Sequence, residues 1–324
     1  MSRMFLVVLM MVAAFDAAAV DGTFVGKDSV SIAYRIAHAP FPRAGVLLLQ
    51  GYSDTYLIYD ELIKDLNEAG YTVYTHDHRG MGLSERLIAN RQKIHVESFL
   101  DYIADTEAFV DTIVRRDSDL PLMVIGHSTG GLVATLLAAR RPELFQRAVL
   151  NAPLFWMNTG KLPHAVAYSV VASANAMGLG ESYAMGFADS TPEQWSFATN
   201  KRTHDRGRFE NMMTTYTTHP ELWQSGATNR WVKTAMDATG TLKKVAPQFA
   251  VDTLILQAGD DAFVDPRGHD RFCAAAPACR LVRFEGSFHE IFREQNGTRD
   301  RWLAEVLFHL SRNDSAGILK ALPL

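Results

Sequence analysis

Gly126-His127-Ser128-Thr129-Gly130 places a serine in the pattern G-x-S-x-G. The pattern carries chemistry only where a strand runs into it and a helix runs out. That turn lifts the serine oxygen above a sheet edge and aims a helix N-terminus at it. Here the apolar run Pro121 to Ile125 precedes it and an apolar-periodic stretch, Thr129 to Arg140, follows. Gly126 and Gly130 suit a turn in which backbone segments pass close and strain the serine. A serine hydroxyl is a poor nucleophile until a base takes its proton, and the base needs an acid to orient it. In such folds the order along the chain is serine, acid, histidine. His289 lies in the loop after the last strand-like run, Cys279 to Phe284, and is the only histidine so placed. It is the expected base. The acid comes from the loop after the run Asp252 to Gln257, which holds Asp260, Asp261 and Asp265. Asp265 precedes Pro266 and reads as the cap of the next helix. Asp261, in mid-loop, is preferred over Asp260. Two backbone N–H groups should face the developing oxyanion, one from Thr129 and one from Tyr52, with Gly51 allowing a close approach.

These residues need a scaffold that brings strand ends together. Gly45 to Gln50 is an apolar run of the length of a buried parallel strand. Tyr59 to Glu68 is amphipathic, with Leu62, Ile63 and Leu66 on one face and Gly70 at the C-cap position. Strand character returns at Tyr71 to Asp77, Arg147 to Asn151 and Asp252 to Gln257, and helical period at Val96 to Arg116 and Arg299 to Leu310. Phe24 to Ala37 alternates like a leading antiparallel hairpin. The alternation implies an α/β fold with a mostly parallel central sheet flanked by helices.

The elbow, the loop Asp77-His78-Arg79-Gly80-Met81-Gly82-Leu83-Ser84, and the late Asp and His together resemble the monoglyceride lipase and lysophospholipase branch of the α/β-hydrolases. The similarity runs from about Gly45 to about Leu310 and is nearest to bacterial lysophospholipases of the L2 type. It includes Arg202-Thr203-His204, Asn229 to Val232, Val264 to Cys273 and His289-Glu290-Ile291. It implies the α/β-hydrolase fold and a triad at Ser128, Asp261 and His289. One departure is Gln50-Gly51-Tyr52, where many relatives carry His-Gly: the backbone donor survives that change, but a side-chain contact is put in question.

The interval 153–250 interrupts the sheet and is far longer than an ordinary loop. It is expected to be a largely helical cap on a core formed by 20–152 and 251–324. Ala165 to Met177 is small and apolar, like a helix facing lipid or a pocket. Of the large apolar residues Leu154 to Met157, Trp195, Phe197, Trp223 and Trp231, most are expected to fill the cap's own core and a few to line an acyl pocket. Arg202, Arg206 and Arg208 form a basic cluster, expected more as a solvated helix face than as contacts for a phosphate head group. A single-chain lipid ester is therefore the expected substrate, lysophospholipid before monoglyceride. A short-chain esterase, an iminopeptidase using a cap carboxylate (Glu181, Glu193, Glu210 or Glu221) and a non-catalytic binding protein on the same fold are the alternatives.

The first nineteen residues read as an export signal: Arg3, the apolar run Phe5 to Phe15, then Ala17-Ala18-Ala19. That points to a periplasmic or secreted protein. An uncleaved membrane-associated segment is the alternative, and the cap could touch a membrane peripherally. If the chain is exported, Cys273 and Cys279 are expected to form a disulfide. Asp260, Asp261 and His269 lack regular ligand spacing, so no metal is expected, and no organic cofactor is implied. With 324 residues and a formal net charge of -4, no basic field recruits nucleic acid.

Overall fold

The structure, a computed structural model, describes residues 19–312. All but the last residue of the expected leader lies outside them. The chain begins with β1 (Val20–Val25) and β2 (Ser31–Ala37), an antiparallel hairpin. Then come β3 (Ala44–Leu49), α1 (Asp60–Glu68), β4 (Tyr71–His76) and the two-residue β5 (Lys93–Ile94). The next helical stretch is α2 (Phe99–Phe109), a π-turn over Val110–Val114 and the short α3 (Arg115–Asp117). It starts at Phe99 rather than Val96. The Ser98 side chain caps the first turn and Asp101 closes a capping box on it. Leu100, apolar and in the first turn, is exposed.

β6 (Leu122–His127), α4 (Thr129–Arg140) and β7 (Arg147–Asn151) follow. The inserted segment carries α5 (His164–Ala176), α6 (Arg206–Thr218), the two-residue β8 (Gly226–Ala227) and α7 (Asn229–Val245). The chain then returns through β9 (Asp252–Ala258), α8 (Arg267–Ala275), β10 (Cys279–Phe284) and α9 (Asn296–Ser311). Helix α8 begins at Arg267, one residue past Pro266, and Asp265 accepts the Arg267 N–H (3.0 Å).

The sheet order is β1-β2-β4-β3-β6-β7-β9-β10, with β4 through β10 joined in parallel. Every residue of β3, β4, β6 and β7 is buried, which is why Ala44 to Leu49 and Leu122 to Gly126 read as continuous apolar runs, while β4 and β7 also bury Thr72, Thr75, His76, Arg147 and Asn151. Alternate residues divide between two cores. Leu47, Leu49, Val124 and Leu150 face α2, α4 and α7. Val46, Leu48, Ile125 and Val149 face α1 and α9. This is an α/β-hydrolase sheet.

The inserted segment is less separate than its length suggests. Its own core is small: Phe209, Met212, Tyr216, Leu222 and Trp223, with Trp195 and Phe197 packed on it. Helix α7 instead sends Trp231, Ala235, Ala238 and Leu242 into the main core, and Leu154 and Phe155 lie there too. β8 pairs in parallel with β5. Helix α5 has one buried residue, Val171. Its small apolar residues face the cleft and solvent rather than a core.

Candidate active site

The elbow is held by backbone geometry. Ser128 has φ 50°, in the left-handed region, and its N–H donates to Asn151 O (3.0 Å) while its carbonyl accepts from Leu154 N (2.9 Å). A side chain has no room on either flank. A Cβ at Gly126 would lie 2.7 Å from Gly130 O, and one at Gly130 would lie 2.3 Å from Leu49 O. With both glycines present, α4 packs directly behind β3 and β6, and its N-terminus starts at the serine. Thr129 is the first residue of α4, so its N–H has no partner within the helix.

His289 and Asp261 meet in the loops after β10 and β9. His289 Nδ1 lies 2.7 Å from Asp261 Oδ2, and both side chains are buried. The other carboxylate oxygen, Oδ1, accepts the N–H groups of Phe263 (2.8 Å) and Val264 (3.0 Å). Burial by itself would raise the Asp261 carboxyl. The His289 ring and the two N–H groups outweigh it and hold the group below the usual carboxylate range. Asp260 is exposed and bonds through its backbone, to Ser287 O. Ser128 and His289 line one cavity of about 430 Å³. No hydrogen bond joins the Ser128 hydroxyl to His289 among the described residues, a gap that catalytic pairs commonly close when substrate binds.

The opposite wall is the loop after β3. Gly51 is required there, since a Cβ would lie 2.9 Å from both Asp54 Oδ2 and the His127 ring. Tyr52 lines the cavity, its ring edge-on to Trp231 at 4.7 Å, and Ser53 takes a left-handed φ of 60°. Gln50 does its work away from the cavity. Its side-chain amide donates to Thr75 Oγ1 (3.2 Å) and Asp77 Oδ1 (3.1 Å), and its backbone carbonyl accepts from Gly130 N (2.9 Å). Asp77 also accepts from Thr55 Oγ1 and from the Tyr56 and Leu83 N–H groups. The Asp77–Ser84 loop thus braces the loop bearing Tyr52. His127 is buried against His289, with ring centroids 4.7 Å apart, and burial pushes it down to about 3. It is a neutral wall of the site.

Charge is gathered beneath this wall. Arg202, from the inserted segment, donates to Asp54 Oδ1 (2.8 Å), Glu290 Oε1 (2.7 Å) and Ser53 Oγ (3.1 Å). Arg293 donates to Glu290 Oε2 (2.6 Å). Asp54, His127 and Glu290 have the spacing of a metal site, their ligand atoms lying within 4.8 Å of one another. Both carboxylates are already bonded to the Arg202 guanidinium, so the donor set does not fit a cation. The three arginines do not form one cluster. Arg206 is exposed beside Glu210, and Arg208 is tied to Glu61 and Asp205. Of the three only Arg202 reaches the cavity, and its side chain is 11% exposed, partly buried rather than on a solvated face. His269, inside α8, is buried with Nε2 at 2.7 Å from Pro153 O. Cys273 and Cys279 are joined in a disulfide between α8 and β10, with Cα atoms 5.1 Å apart.

The model of the serine aminopeptidase S33 family matches residues 40–296. The chain is 30% identical over 305 residues to lysophospholipase L2 of Escherichia coli (strain K12), covering 91% of this chain and 88% of that one. It belongs to this family. Monoglyceride lipase of Mus musculus is 26% identical over 82% of this chain. The crystal structure of a soluble variant of monoglyceride lipase from Saccharomyces cerevisiae in complex with a substrate analog superposes with a TM-score of 0.72. It is 19% identical and covers 90% of this chain and 94% of that one. The S33 family protein described here is a serine hydrolase of carboxylic esters.

An aminopeptidase must pair the free amine of its substrate with a carboxylate. In this S33 family member Glu181, Glu193, Glu210 and Glu221 are all exposed and none lines the cavity. The carboxylates that do, Asp54 and Glu290, are held by Arg202. That arrangement disfavours a free-amine substrate. Asp54 and Arg293 did not stand out in the sequence, and Glu290 appeared there only within the segment His289-Glu290-Ile291 of the family resemblance. Glu290 beside the candidate base was the available signal, since a charged residue next to a buried histidine needs a partner.

Proposed function

We propose that Ser128, His289 and Asp261 are the catalytic triad of a hydrolase of single-chain lipid esters, with lysophospholipid preferred to monoglyceride. The observation that carries this reading is the cavity. The candidate serine and histidine lie in a largely apolar space that Leu154, Leu162, Val170, Val171, Met185 and Trp195 help to line. An acyl chain buried there gains about 0.8 kcal/mol per CH₂. Lysophospholipase L2 as a relative along 91% of the chain supports the preference.

In this mechanism Ser128 attacks the ester carbonyl as His289 accepts its proton. Asp261 holds the imidazole with Nδ1–H toward itself, leaving Nε2 for the serine, and stabilises the imidazolium. The N–H groups of Tyr52 and Thr129 bind the oxyanion. His289 then protonates the leaving alcohol, and water, activated by the same ring, hydrolyses the acyl-enzyme. No step calls for a metal or cofactor.

Exposed apolar residues on the inserted segment, Val166, Val170, Met177, Leu179, Met185 and Phe187, suit contact with a lipid aggregate. No helix among the described residues is long and apolar enough to cross a membrane. The disulfide and the signal-like start support export.

The test is kcat/KM across acyl lengths and head groups. Long-chain lysophospholipids should exceed acetyl and butyryl esters, and the reverse order would remove the lipid assignment. Labelling of Ser128 by a fluorophosphonate separates an enzyme from a binding protein on this fold. Sequencing the N-terminus of the protein from the producing cell's exported fraction tests cleavage after Ala19.

A further inference from the structure

Arg202 is bonded one residue away from two parts of the proposed machinery. Ser53 and Asp54 directly follow Tyr52, the proposed oxyanion donor, and Glu290 directly follows His289. One guanidinium spans both. Nη1 donates to Asp54 Oδ1 (2.8 Å) and Glu290 Oε1 (2.7 Å), and Nη2 to Ser53 Oγ (3.1 Å). We propose that Arg202 is a positioning residue, a clamp from the inserted segment that fixes the oxyanion-side loop and the histidine loop relative to one another. This inference rests on the ester-hydrolase reading of the same cavity.

The surroundings suit a clamp better than a substrate contact. The Arg202 side chain is 11% exposed, and those of Asp54 and Glu290 are each 1% exposed. Each carboxylate has a second partner on its far side. Tyr59 Oη donates to Asp54 Oδ2 (2.8 Å), and Arg293 donates to Glu290 Oε2. Tyr59 Oη also accepts the Gly51 N–H (3.3 Å), so the network reaches the backbone on both sides of Tyr52. The backbone around Arg202 is stitched to the histidine loop as well. Glu290 N–H donates to Arg202 O (2.9 Å) and Thr203 Oγ1 to Arg293 O (2.6 Å). His204 N–H donates to Glu294 Oε2 (2.9 Å), and the His204 ring stacks on Phe288 at 3.7 Å.

The chemistry requires an arginine. Two buried carboxylates that converge within 4.8 Å, together with the His127 ring, repel one another unless a cation lies between them. A planar guanidinium meets three acceptors in a fixed fork, whereas an ammonium is a compact point charge on a flexible stem. Removing the fork lets the two loops separate. A displacement of about 1 Å between reacting groups costs on the order of 10²-fold in rate.

The experiment compares steady-state kinetics of wild type, Arg202→Ala, Arg202→Lys and Arg206→Ala on one soluble long-chain ester, with folding checked by circular dichroism. Arg202→Ala is expected to lose about 10²-fold in kcat, with KM changed less than about threefold. Arg202→Lys should still lose roughly tenfold or more, since it keeps the charge and loses the fork. Arg206→Ala, an exposed control, should match wild type. Added ethylguanidinium should raise kcat of Arg202→Ala, and ethylammonium at the same concentration should not. The proposal is overturned by kcat of Arg202→Ala within threefold of wild type, by a loss confined to KM, or by equal rescue with ethylammonium. If Arg202→Ala does not fold, Arg202→Lys decides: wild-type kcat in that variant overturns the clamp. Wild-type turnover and fluorophosphonate labelling test the hydrolase reading separately, so a failure there is distinguishable from a failure of the clamp.

Discussion

Replacing Asp261 by Asn changes one atom and tests the triad assignment sharply. Asp261 Oδ1 accepts two backbone N–H groups, from Phe263 and Val264, while Oδ2 faces His289 Nδ1 at 2.7 Å. An asparagine has one oxygen to place. Turning its NH₂ toward the two N–H donors would leave both unpaired at about 1–3 kcal/mol each, so the oxygen stays at the Oδ1 position. The NH₂ must then point at His289 Nδ1. A donor there forces the ring proton onto Nε2, the nitrogen that has to accept the serine proton. The expected loss is about 10⁴-fold in kcat, the size seen when a triad acid becomes an amide in a serine protease, or about 5 kcal/mol of barrier. The fold should be unaffected, because both backbone bonds survive. The assay is single-turnover hydrolysis of a chromogenic ester with circular dichroism as the fold control, and Asp260→Asn as the paired variant. Asp260 is exposed, and its change should cost less than about twofold. Asp261→Asn with kcat within tenfold of wild type, or an equal loss in Asp260→Asn, would refute the tautomer argument.

Other outcomes follow from the same geometry. Ser128→Ala or His289→Ala should lower kcat by roughly 10⁴–10⁶ without a change in melting temperature beyond a few degrees. Gly130→Ala would put a Cβ 2.3 Å from Leu49 O and 2.5 Å from Gln50 O, both fixed backbone atoms. A loss of about 3 kcal/mol or more in urea denaturation is expected, and a near-neutral value would mean that α4 can shift. Cys273→Ser should cost about 2 kcal/mol, the loop-closure entropy of so short a ring, read from the same titration. Acid should destabilise the fold. Burial pushes His76 and His269 down to about 4 and His78 and His127 down to about 3, against about 6.5 when unfolded. As pH falls below about 6.5 the unfolded chain takes up protons that the folded chain refuses, at about 1.4 kcal/mol per pH unit for each histidine. Burial raises Asp77 to about 7, which works the other way between about pH 7 and 4 and offsets about one histidine. The urea midpoint should therefore fall from pH 7 to pH 5, and a rise would contradict the buried neutral histidines.

The parts of the site that were legible in the sequence are those written locally. Ser128 sits in a five-residue pattern with a strand before it and a helix after it. His289 and the acid follow from chain order and from loops at strand ends. The middle of the sheet was legible because β3 and β6 are buried on both faces and so read as apolar runs, while β1 and β2 show as an alternating hairpin. Boundaries moved where a side chain sets them: Ser98 and Asp101 start α2, which periodicity alone placed at Val96. The clamp was not legible, because its partners are far apart in the chain. Arg202 lies 148 residues from Asp54 and 88 from Glu290. The family resemblance includes Arg202-Thr203-His204, but nothing in it names the partners that separate Arg202 from Arg206 and Arg208, which bond elsewhere. The two-residue pairing of β5 with β8 leaves no periodic signal either.

The inserted segment reads in the sequence as a cap, but its packing here argues for a second role. Helix α7 buries Trp231 in the main core, where Nε1 donates to Tyr102 Oη (3.0 Å) and the ring lies against Tyr52. The stretch around Arg202 grips the histidine loop. The same segment therefore touches the Tyr52 loop through Trp231 and the His289 loop through Arg202, while α5 leaves its apolar face open to the cleft. A segment built this way cannot move as one rigid lid without breaking core packing at one end and buried ion pairs at the other. Opening for an acyl chain should then be confined to α5 and the residues up to Phe187, where burial is least and no ion pair crosses to the sheet among the described residues.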